Sequence, residues 1–265
     1  MTESFRMVKL LQLTDTHLYA DPAGCLLGVN TRESFRAVVA EALEHGPYDL
    51  VLVTGDLVHD SSRAGYDALI EGLGAFRAPV HCLAGNHDEA HAFAGNLDRG
   101  GVTAPRQVDV GPWRLVLLDS TIPGEEGGHL DDGELQHLNA ALAEGDRHVL
   151  VCMHHQPLPV GSVWLDTMAI DNGDRLFRAI EGHPRVRGLL WGHIHQEFDR
   201  VLNGVRLLAS PSTCVQFAVG RRSFQVDNRP PGFRVLELLP DGRIVTRVHR
   251  IDAVPAGLDV ASGGY

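Results

Sequence analysis

The sequence predicts an α/β fold in which buried strands alternate with amphipathic helices. Short apolar runs rich in Val and Leu recur along the chain, as is typical of buried strands. The segments between several of these runs carry apolar residues at helical spacing. Such alternation favours a layered α/β architecture, and a chain of 265 residues with 44% hydrophobic residues has enough apolar material for a large core.

The individual elements follow from this periodicity. Six runs are predicted as strands: Val8 to Leu13, Leu50 to Val53, Val80 to Leu83, Leu115 to Leu118, Val149 to Met153 and Val186 to Trp191. A first helix spans Phe35 to Leu43, with Asn30 and Glu33 as a capping box and Gly46-Pro47 after its end. Further helices are predicted over Tyr66 to Leu73 and from Asp131 onward.

The last third of the chain predicts antiparallel strands. Val205 to Ala209 and Phe233 to Leu239 have strand character, and Pro240-Asp241-Gly242 forms a turn into Ile244 to Val248. Either one mixed sheet or two stacked sheets with outer helices would accommodate these strands. No linker or repeat divides the sequence, so we predict one domain over residues 1–265 with a C-terminal β-hairpin region at about 205–250.

Charge and cysteine usage narrow the possible partners. The formal charge of −11 argues against a protein that binds nucleic acid or an anionic membrane through its overall field. The four cysteines form no CxxC pair, which argues against a disulfide framework or a zinc knuckle. Residues 1–14 lack the apolar core of a signal peptide, and no run of ~18 apolar residues occurs. We therefore expect a cytoplasmic protein. We also expect a monomer or a homodimer.

Asp, Asn and His residues follow five of the predicted strands. In open α/β sheets, ligands bind outside the carboxyl ends of the strands, so these side chains are expected to converge. If the segments are extended, Asp15 with His17, and His193 with His195, point to a common side. The predicted metal ligands are Asp15, His17, Asp56, Asn86, His154, His193 and His195.

This donor set predicts a pair of divalent ions. Oxygen and imidazole ligands without thiolate suit Mn²⁺, Fe²⁺ or Zn²⁺. Seven ligands are too many for one ion, whereas a carboxylate can bridge two ions ~3.5–4 Å apart. We assign Asp15, His17, Asp56 and His195 to one ion, and Asp56, Asn86, His154 and His193 to the other. With a bridging hydroxide the site keeps a charge of about +1, which favours a phosphodiester anion.

The same residues resemble a known enzyme superfamily. The ordered motifs Asp15-x-His17, Gly55-Asp56, Gly85-Asn86-His87-Asp88, His154 and Gly192-His193-x-His195 resemble the signature of the calcineurin-like metallophosphoesterases. Three longer segments and the closing Gly264-Tyr265 are similar to bacterial class III cyclic AMP phosphodiesterases: Leu26 to Thr31, Gly192 to Glu197 and Ser210 to Phe217. This resemblance covers almost the whole chain.

The resemblance implies a fold, a cofactor and a reaction. The fold is a sandwich of two mixed β-sheets flanked by helices, and the cofactor is a binuclear centre that holds iron or manganese. The reaction is hydrolysis of 3′,5′-cyclic AMP to 5′-AMP, with attack by a metal-bridging hydroxide. His87 resembles the histidine of the family that binds no metal, and we assign it as proton donor, with Asp88 orienting it. Predicted substrate contacts are His17, Asn86, His87, His155 and His195.

Other interpretations remain open at this point. The same metal core serves broader phosphohydrolases that act on other cyclic nucleotides or diesters. A metal or nucleotide sensor without activity is a second alternative, although a sensor needs no proton donor. Base recognition requires an apolar or aromatic wall, for which Trp164 with Leu165 and the loop Ser210 to Phe217 are candidates. For any one of these residues, ordinary packing is the favoured explanation.

Overall fold

The computed structural model describes residues 6–264, and its elements confirm the predicted α/β class. Residues 1–5, which belong to the segment considered for a signal peptide, and Tyr265 of the closing motif lie outside the described residues. The strands are β1 Val8–Leu13, β2 Cys25–Leu26, β3 Val29–Asn30, β4 Leu50–Thr54, β5 Val80–Leu83, β6 Val102–Thr103, β7 Gln107–Val110, β8 Trp113–Leu117, β9 His148–Cys152, β10 Val186–Trp191, β11 Phe198–Leu202, β12 Val205–Ala209, β13 Gln216–Phe217, β14 Val226–Asp227, β15 Gly232–Leu238 and β16 Ile244–Arg250.

The helices lie mostly between the strands. They are α1 Thr31–Glu44, α2 Arg63–Leu73, α3 Ala90–Asn96, α4 Asp132–Ala143, α5 Val163–Asp166 and α6 Gly173–Ile180. The predicted cap of α1 is confirmed, since the Asn30 side chain accepts a hydrogen bond from the Glu33 amide at 2.9 Å. Within residues 6–264, no helix combines the length and the apolar character needed to cross a bilayer.

Two six-stranded mixed sheets form the centre of the molecule. The first has the order β16-β15-β1-β4-β5-β6, with β1, β4, β5 and β6 parallel and β15 and β16 antiparallel. The second has the order β11-β12-β10-β9-β8-β7, with β12, β10, β9 and β8 parallel. Of the two predicted arrangements, the stacked sheets are therefore the correct one.

The central strands of both sheets are buried on both faces because other layers cover each sheet on both sides. Leu52 of β4 and Leu190 of β10 belong to one buried cluster between the sheets. Phe35 of α1 packs on the outer face of the first sheet, and Leu138 of α4 packs on the outer face of the second. This four-layer burial explains why the central strands are continuous apolar runs rather than alternating ones. All four cysteines are free thiols.

The region 205–250 is divided between the two sheets. The predicted hairpin over Phe233 to Val248 is confirmed, because β15 and β16 pair antiparallel at the edge of the first sheet. Val205–Ala209, however, forms β12 of the second sheet, where it pairs with β10 and β11. The structure therefore does not show a single hairpin region here. Part of the segment belongs to the second sheet, and the hairpin itself belongs to the first sheet.

A buried polar bridge joins the two sheets directly below their carboxyl ends. Gln12 of β1 donates to the Thr54 hydroxyl at 2.9 Å and to the Trp191 carbonyl at 3.0 Å. Its carbonyl oxygen accepts a hydrogen bond from Ser210, whose hydroxyl in turn accepts from Arg234. Both Gln12 and Arg234 are buried. Because buried polar groups must keep their partners, this bridge fixes how the two sheets meet at that edge.

Candidate metal centre

The seven predicted ligands converge at the edge where parallel strands of both sheets end. Asp15 and His17 follow β1, Asp56 follows β4 and Asn86 follows β5 in the first sheet. His154 follows β9, and His193 and His195 follow β10 in the second sheet. The two halves are in contact, since the Asp15 carboxylate accepts a hydrogen bond from the His193 amide at 3.1 Å. The structure thus brings these seven side chains together at one edge, as expected from the sequence.

The local backbone differs from the extended segments that we expected. Five of the seven residues have positive φ, namely Asp15, His17, Asp56, His193 and His195, with values from 43° to 64°. The expected i, i+2 alignment of extended chain was therefore wrong. The side chains instead converge because each chain turns sharply through the left-handed region directly after its strand. Such conformations are costly for non-glycine residues and cluster at functional sites.

Two glycines permit the close approach of these turns. A Cβ atom on Gly55 would lie 2.3 Å from the His154 Nδ1 atom, and Gly55 also has a φ of +92°. A Cβ atom on Gly85 would lie 2.2 Å from the Asp56 amide nitrogen. Both positions thus exclude any side chain.

The first proposed ion position is surrounded by Asp15, His17, Asp56 and His195. The Nε2 atoms of His17 and His195 are 3.2 Å apart. His17 Nε2 lies 3.6 Å from Asp56 Oδ2, and His195 Nε2 lies 3.5 Å from Asp15 Oδ1. Two donor atoms that bind one ion at about 2.1 Å lie roughly 3.0–3.4 Å apart at octahedral or tetrahedral angles. These separations fit a shared cation.

The second proposed position is surrounded by Asp56, Asn86, His154 and His193. Asn86 Oδ1 lies 3.1 Å from His154 Nε2 and 3.0 Å from His193 Nδ1. Asp56 Oδ1 lies 3.3 Å from His154 Nε2, so the two oxygens of Asp56 face different positions. The other carboxylate oxygen of Asp15, Oδ2, is buried and accepts no hydrogen bond within residues 6–264. Such an orphaned acceptor fits a site that holds divalent metal ions.

Backbone carbonyls orient two of the imidazoles. His154 Nδ1 donates to the Thr54 carbonyl and His195 Nδ1 donates to the Val215 carbonyl, each at 2.8 Å. A carbonyl only accepts, so the proton lies on Nδ1 and Nε2 faces the centre. Partners of this kind fix the tautomer of metal-binding histidines.

Burial and neighbouring charges shift the pKa values of the histidines and of Asp56 at this site. Burial holds the pKa of His17 and of His193 well below the usual value, so both imidazoles are neutral and able to bind metal. Burial alone would lower the pKa of His154, but the charge and hydrogen bond of Asp56 outweigh it and raise the pKa of His154 to about 9. Burial likewise opposes ionisation of Asp56, yet His154 and then His87 keep the pKa of that carboxyl low. Without metal, a proton on His154 offsets the Asp56 charge, and a cation bound here would take the place of that proton.

His87 lies at the site beside a histidine that the sequence analysis did not assign. The His87 ring stacks on His59 with centroids 4.4 Å apart and meets His17 edge-on at 5.0 Å. Its amide donates to Asp56 Oδ1 at 3.0 Å, which ties the His87 backbone to the Asp56 carboxylate. His59 Nδ1 lies 3.1 Å from His17 Nδ1. The only sequence signal for His59 is its position three residues after Asp56, in the same loop.

Asp88 has a different environment from the one predicted. Its carboxylate accepts hydrogen bonds from the Leu57, Val58 and Gly85 amides and from the Tyr66 hydroxyl. Burial, followed by the charge of Asp56, raises the pKa of Asp88 to about 6. The Asp88 carboxylate therefore has a structural role, and its hydrogen bonds do not support the prediction that it orients His87. Asp88 ties the loop after β4 to the loop after β5, which carries Asn86.

Replacing Asp88 by alanine should lower the free energy of unfolding of the metal-free protein by about 3 kcal/mol, because several buried donors lose their acceptor. The matched variant Tyr66→Phe removes only one of these donors and should cost about 1 kcal/mol. Urea denaturation of both variants measures the difference. Equal losses for the two variants would show that the backbone amides do not depend on Asp88.

His155 is buried and both of its ring nitrogens are occupied. Nε2 donates to the Glu126 carbonyl at 3.2 Å, and Nδ1 is 2.8 Å from the Ser120 hydroxyl, from which it accepts. Burial lowers the pKa of His155 to about 3. The predicted substrate contact of His155 is not supported, because its polar atoms are already used. Its ring packs against His154 and His193, with centroids at 4.9 Å and 4.7 Å.

The sequence matches a known protein family and several of its members over most of the chain. Residues 8–197 match the family model described as calcineurin-like phosphoesterase. The chain is similar to the 3′,5′-cyclic adenosine monophosphate phosphodiesterase CpdA of Pseudomonas aeruginosa, with 44% identity over 97% of this chain and 95% of that protein. The CpdA of Escherichia coli strain K12 is equally similar, with 44% identity and the same coverage.

The fold of the chain is also similar to that of solved structures with low sequence identity. A dimetal phosphatase from Danio rerio superposes with a TM-score of 0.67 at 14% identity, covering 97% of this chain and all of that one. At this identity the comparison concerns the fold alone. It agrees with the two stacked mixed sheets described above.

Proposed function

The chain belongs to the calcineurin-like phosphoesterase family, and from this premise we propose that it hydrolyses 3′,5′-cyclic AMP to 5′-AMP with two divalent metal ions. The motif resemblance found in the sequence is confirmed by this membership. The observation that carries the proposal is the meeting of seven ligand side chains, with Asp56 facing both proposed ion positions. Relatives named as cyclic AMP phosphodiesterases match 97% of the chain, which supports the choice of substrate.

The donor set supports Fe²⁺ or Mn²⁺, with Zn²⁺ as a further option, because it offers imidazole, carboxylate and amide groups without thiolate. Asp15, His17, Asp56 and His195 would hold one ion, and Asp56, Asn86, His154 and His193 the other. When bound, the pair of ions supplies a water that is deprotonated near neutral pH and neutralises charge on the phosphoryl oxygens. In a chain with a formal charge of −11, this local positive charge would attract an anionic substrate.

The surrounding residues would then control orientation and proton transfer. Conversion to 5′-AMP breaks the bond between phosphorus and the 3′-oxygen, and the leaving oxygen takes up a proton. His87 and Asn86 line a cavity beside His193, so His87 is placed to donate that proton from its imidazole. His59 stacks on His87 and limits its rotation. A cytoplasmic location and a monomeric or homodimeric state stay predictions.

The proposal is tested by product analysis. Purified protein loaded with Mn²⁺ or Fe²⁺ should convert 3′,5′-cyclic AMP to 5′-AMP, detected by chromatography. Treatment with a chelator should lower the rate by more than about 100-fold, and added metal should restore it. Cyclic GMP and 2′,3′-cyclic AMP measured alongside distinguish a broader phosphohydrolase. Absence of 5′-AMP in the metal-loaded sample would overturn the substrate, and full activity in the chelator would overturn the metal requirement.

A further inference from the structure

A cavity of about 330 Å³ opens beside the metal centre and has two chemically different sides. Asn86, His87 and His193 form the polar side. Trp164, Met168 and Phe224 form the apolar side. Small-molecule sites typically measure roughly 300–1,000 Å³ and combine an apolar wall with a few polar groups. The cavity thus has the size and composition of a ligand site, with the metal centre at only one end.

The apolar side is an aromatic cluster that contacts His195, one of the proposed metal ligands. The Trp164 ring meets Phe217 and Phe224 edge to face, with centroids 5.1 Å away in both cases. Phe217 in turn stacks on His195 at 4.2 Å with an interplanar angle of 11°. Aromatic contacts of this kind hold the rings in defined orientations. The position of the Trp164 wall is therefore coupled to the position of the metal centre.

Charge determines which end of an anionic ligand faces the wall. Cations at Asn86 and His193 would attract phosphate, whereas Glu126, an exposed carboxylate that also lines the cavity, would repel it. The same carboxylate can accept a hydrogen bond from an amino group of a base. The Glu126 backbone is anchored by the hydrogen bond from His155, at 3.2 Å. A nucleotide therefore fits with its phosphate at the metals and its base beside Trp164.

We infer that Trp164, with Met168 and Phe224, forms the base-binding wall that selects a cyclic nucleotide over diesters without a base. This inference rests on the proposed phosphodiesterase function and deepens it. A planar base stacks on an indole, and such stacking corresponds to roughly 5- to 150-fold in affinity. The residues that bind the base thus differ from those that bind the phosphate, so the two contributions are separable by mutation.

A second cavity provides a structural control. It measures about 200 Å³ and is lined by Phe93, Pro105 and Arg106 among others. None of the seven predicted metal ligands lines this cavity. Phe93 is half-buried like Trp164, and Phe93→Ala therefore removes an aromatic ring of a neighbouring cavity without touching the proposed wall.

Direct binding tests the inference. Calorimetric titration of the metal-loaded protein with 5′-AMP should show an affinity about tenfold weaker for Trp164→Ala than for the unmodified protein, within the range expected for base stacking. The affinity for ribose 5-phosphate, which has no base, should stay within about twofold. Trp164→Phe should keep most of the affinity, and Phe93→Ala should behave like the unmodified protein. Thermal melting and metal content identify any variant that fails to fold.

Fluorescence adds a readout that needs no catalysis. Of the three tryptophans, Trp113 and Trp191 have no exposed surface, so a base that stacks on an indole can only quench Trp164. We expect 5′-AMP to quench the fluorescence, ribose 5-phosphate to leave it unchanged, and Trp164→Phe to lose the quench while still binding.

The outcomes separate the two proposals. Unchanged 5′-AMP affinity in Trp164→Ala, or equal losses for 5′-AMP and ribose 5-phosphate, would overturn the base-binding wall even if cyclic AMP is hydrolysed. Quenching and base-dependent binding without any hydrolysis of cyclic AMP would uphold the wall and overturn the proposed reaction. A large loss of 5′-AMP affinity in Phe93→Ala would indicate that the base binds in the second cavity instead, and would overturn the inference.

Discussion

Replacement of Asp56 by asparagine is expected to abolish hydrolysis, with a loss of more than about 10³-fold, and to release both metal ions. Asn has the same shape but no charge, and its amide nitrogen cannot bind a cation. Oδ1 and Oδ2 of Asp56 face different ion positions, and Oδ1 also accepts the His87 amide. One substitution therefore weakens both positions and the anchoring of His87.

Metal analysis of the purified protein and steady-state kinetics measure this effect. Asp119→Asn is the matched control, because Asp119 also follows a strand, β8, but is exposed and accepts from the Thr121 amide at 2.9 Å. The control should retain both ions and its activity. Two tightly bound ions in Asp56→Asn would contradict the bridging role.

Replacement of His87 by alanine is expected to lower kcat for cyclic AMP by about 10²- to 10⁴-fold while leaving metal content unchanged. The ribose 3′-oxygen is a poor leaving group and benefits from a proton donor. The loss should shrink to less than about tenfold for a p-nitrophenyl phosphodiester, whose leaving group needs no proton. This dependence on the leaving group separates proton donation from a general distortion of the site.

Kinetics on both substrates, with metal analysis, test the prediction. His91→Ala is the matched control, since His91 lies nearby in the sequence at an exposed position of α3 and should be silent. An equal loss on both substrates would argue against a proton donor. Loss of metal from His87→Ala would instead indicate that His87 is a ligand.

Much of this architecture follows from local sequence patterns. Apolar runs predicted the central strands. The Asn30 capping box and the helical pattern from Asp131 onward predicted where α1 and α4 begin, because strand burial and helix capping depend on neighbouring residues. The candidate ligands were also predictable, since they directly follow strands whose carboxyl ends lie at one edge. The division of residues 205–250 between two sheets was not predictable, because strand pairing is decided by distant partners.

The roles of individual polar residues required the folded structure. Asp88 stands next to His87 in the chain, yet its carboxylate is directed to the Leu57, Val58 and Gly85 amides and to Tyr66. His155 follows His154, yet its nitrogens are used by Ser120 and Glu126. Adjacent residues point in different directions, and a buried polar atom takes whichever partner the packing brings near.

The sequence by itself determined which residue types stand after the strands, and hence a family and a metal chemistry. Only the tertiary structure decided that Asp56 faces two positions, that His59 stacks on His87 and that Trp164 lines a cavity beside Asn86. The physical reason is distance along the chain. Periodicity and capping act over a few residues, whereas a binding site is formed by side chains that meet only when both sheets are packed together.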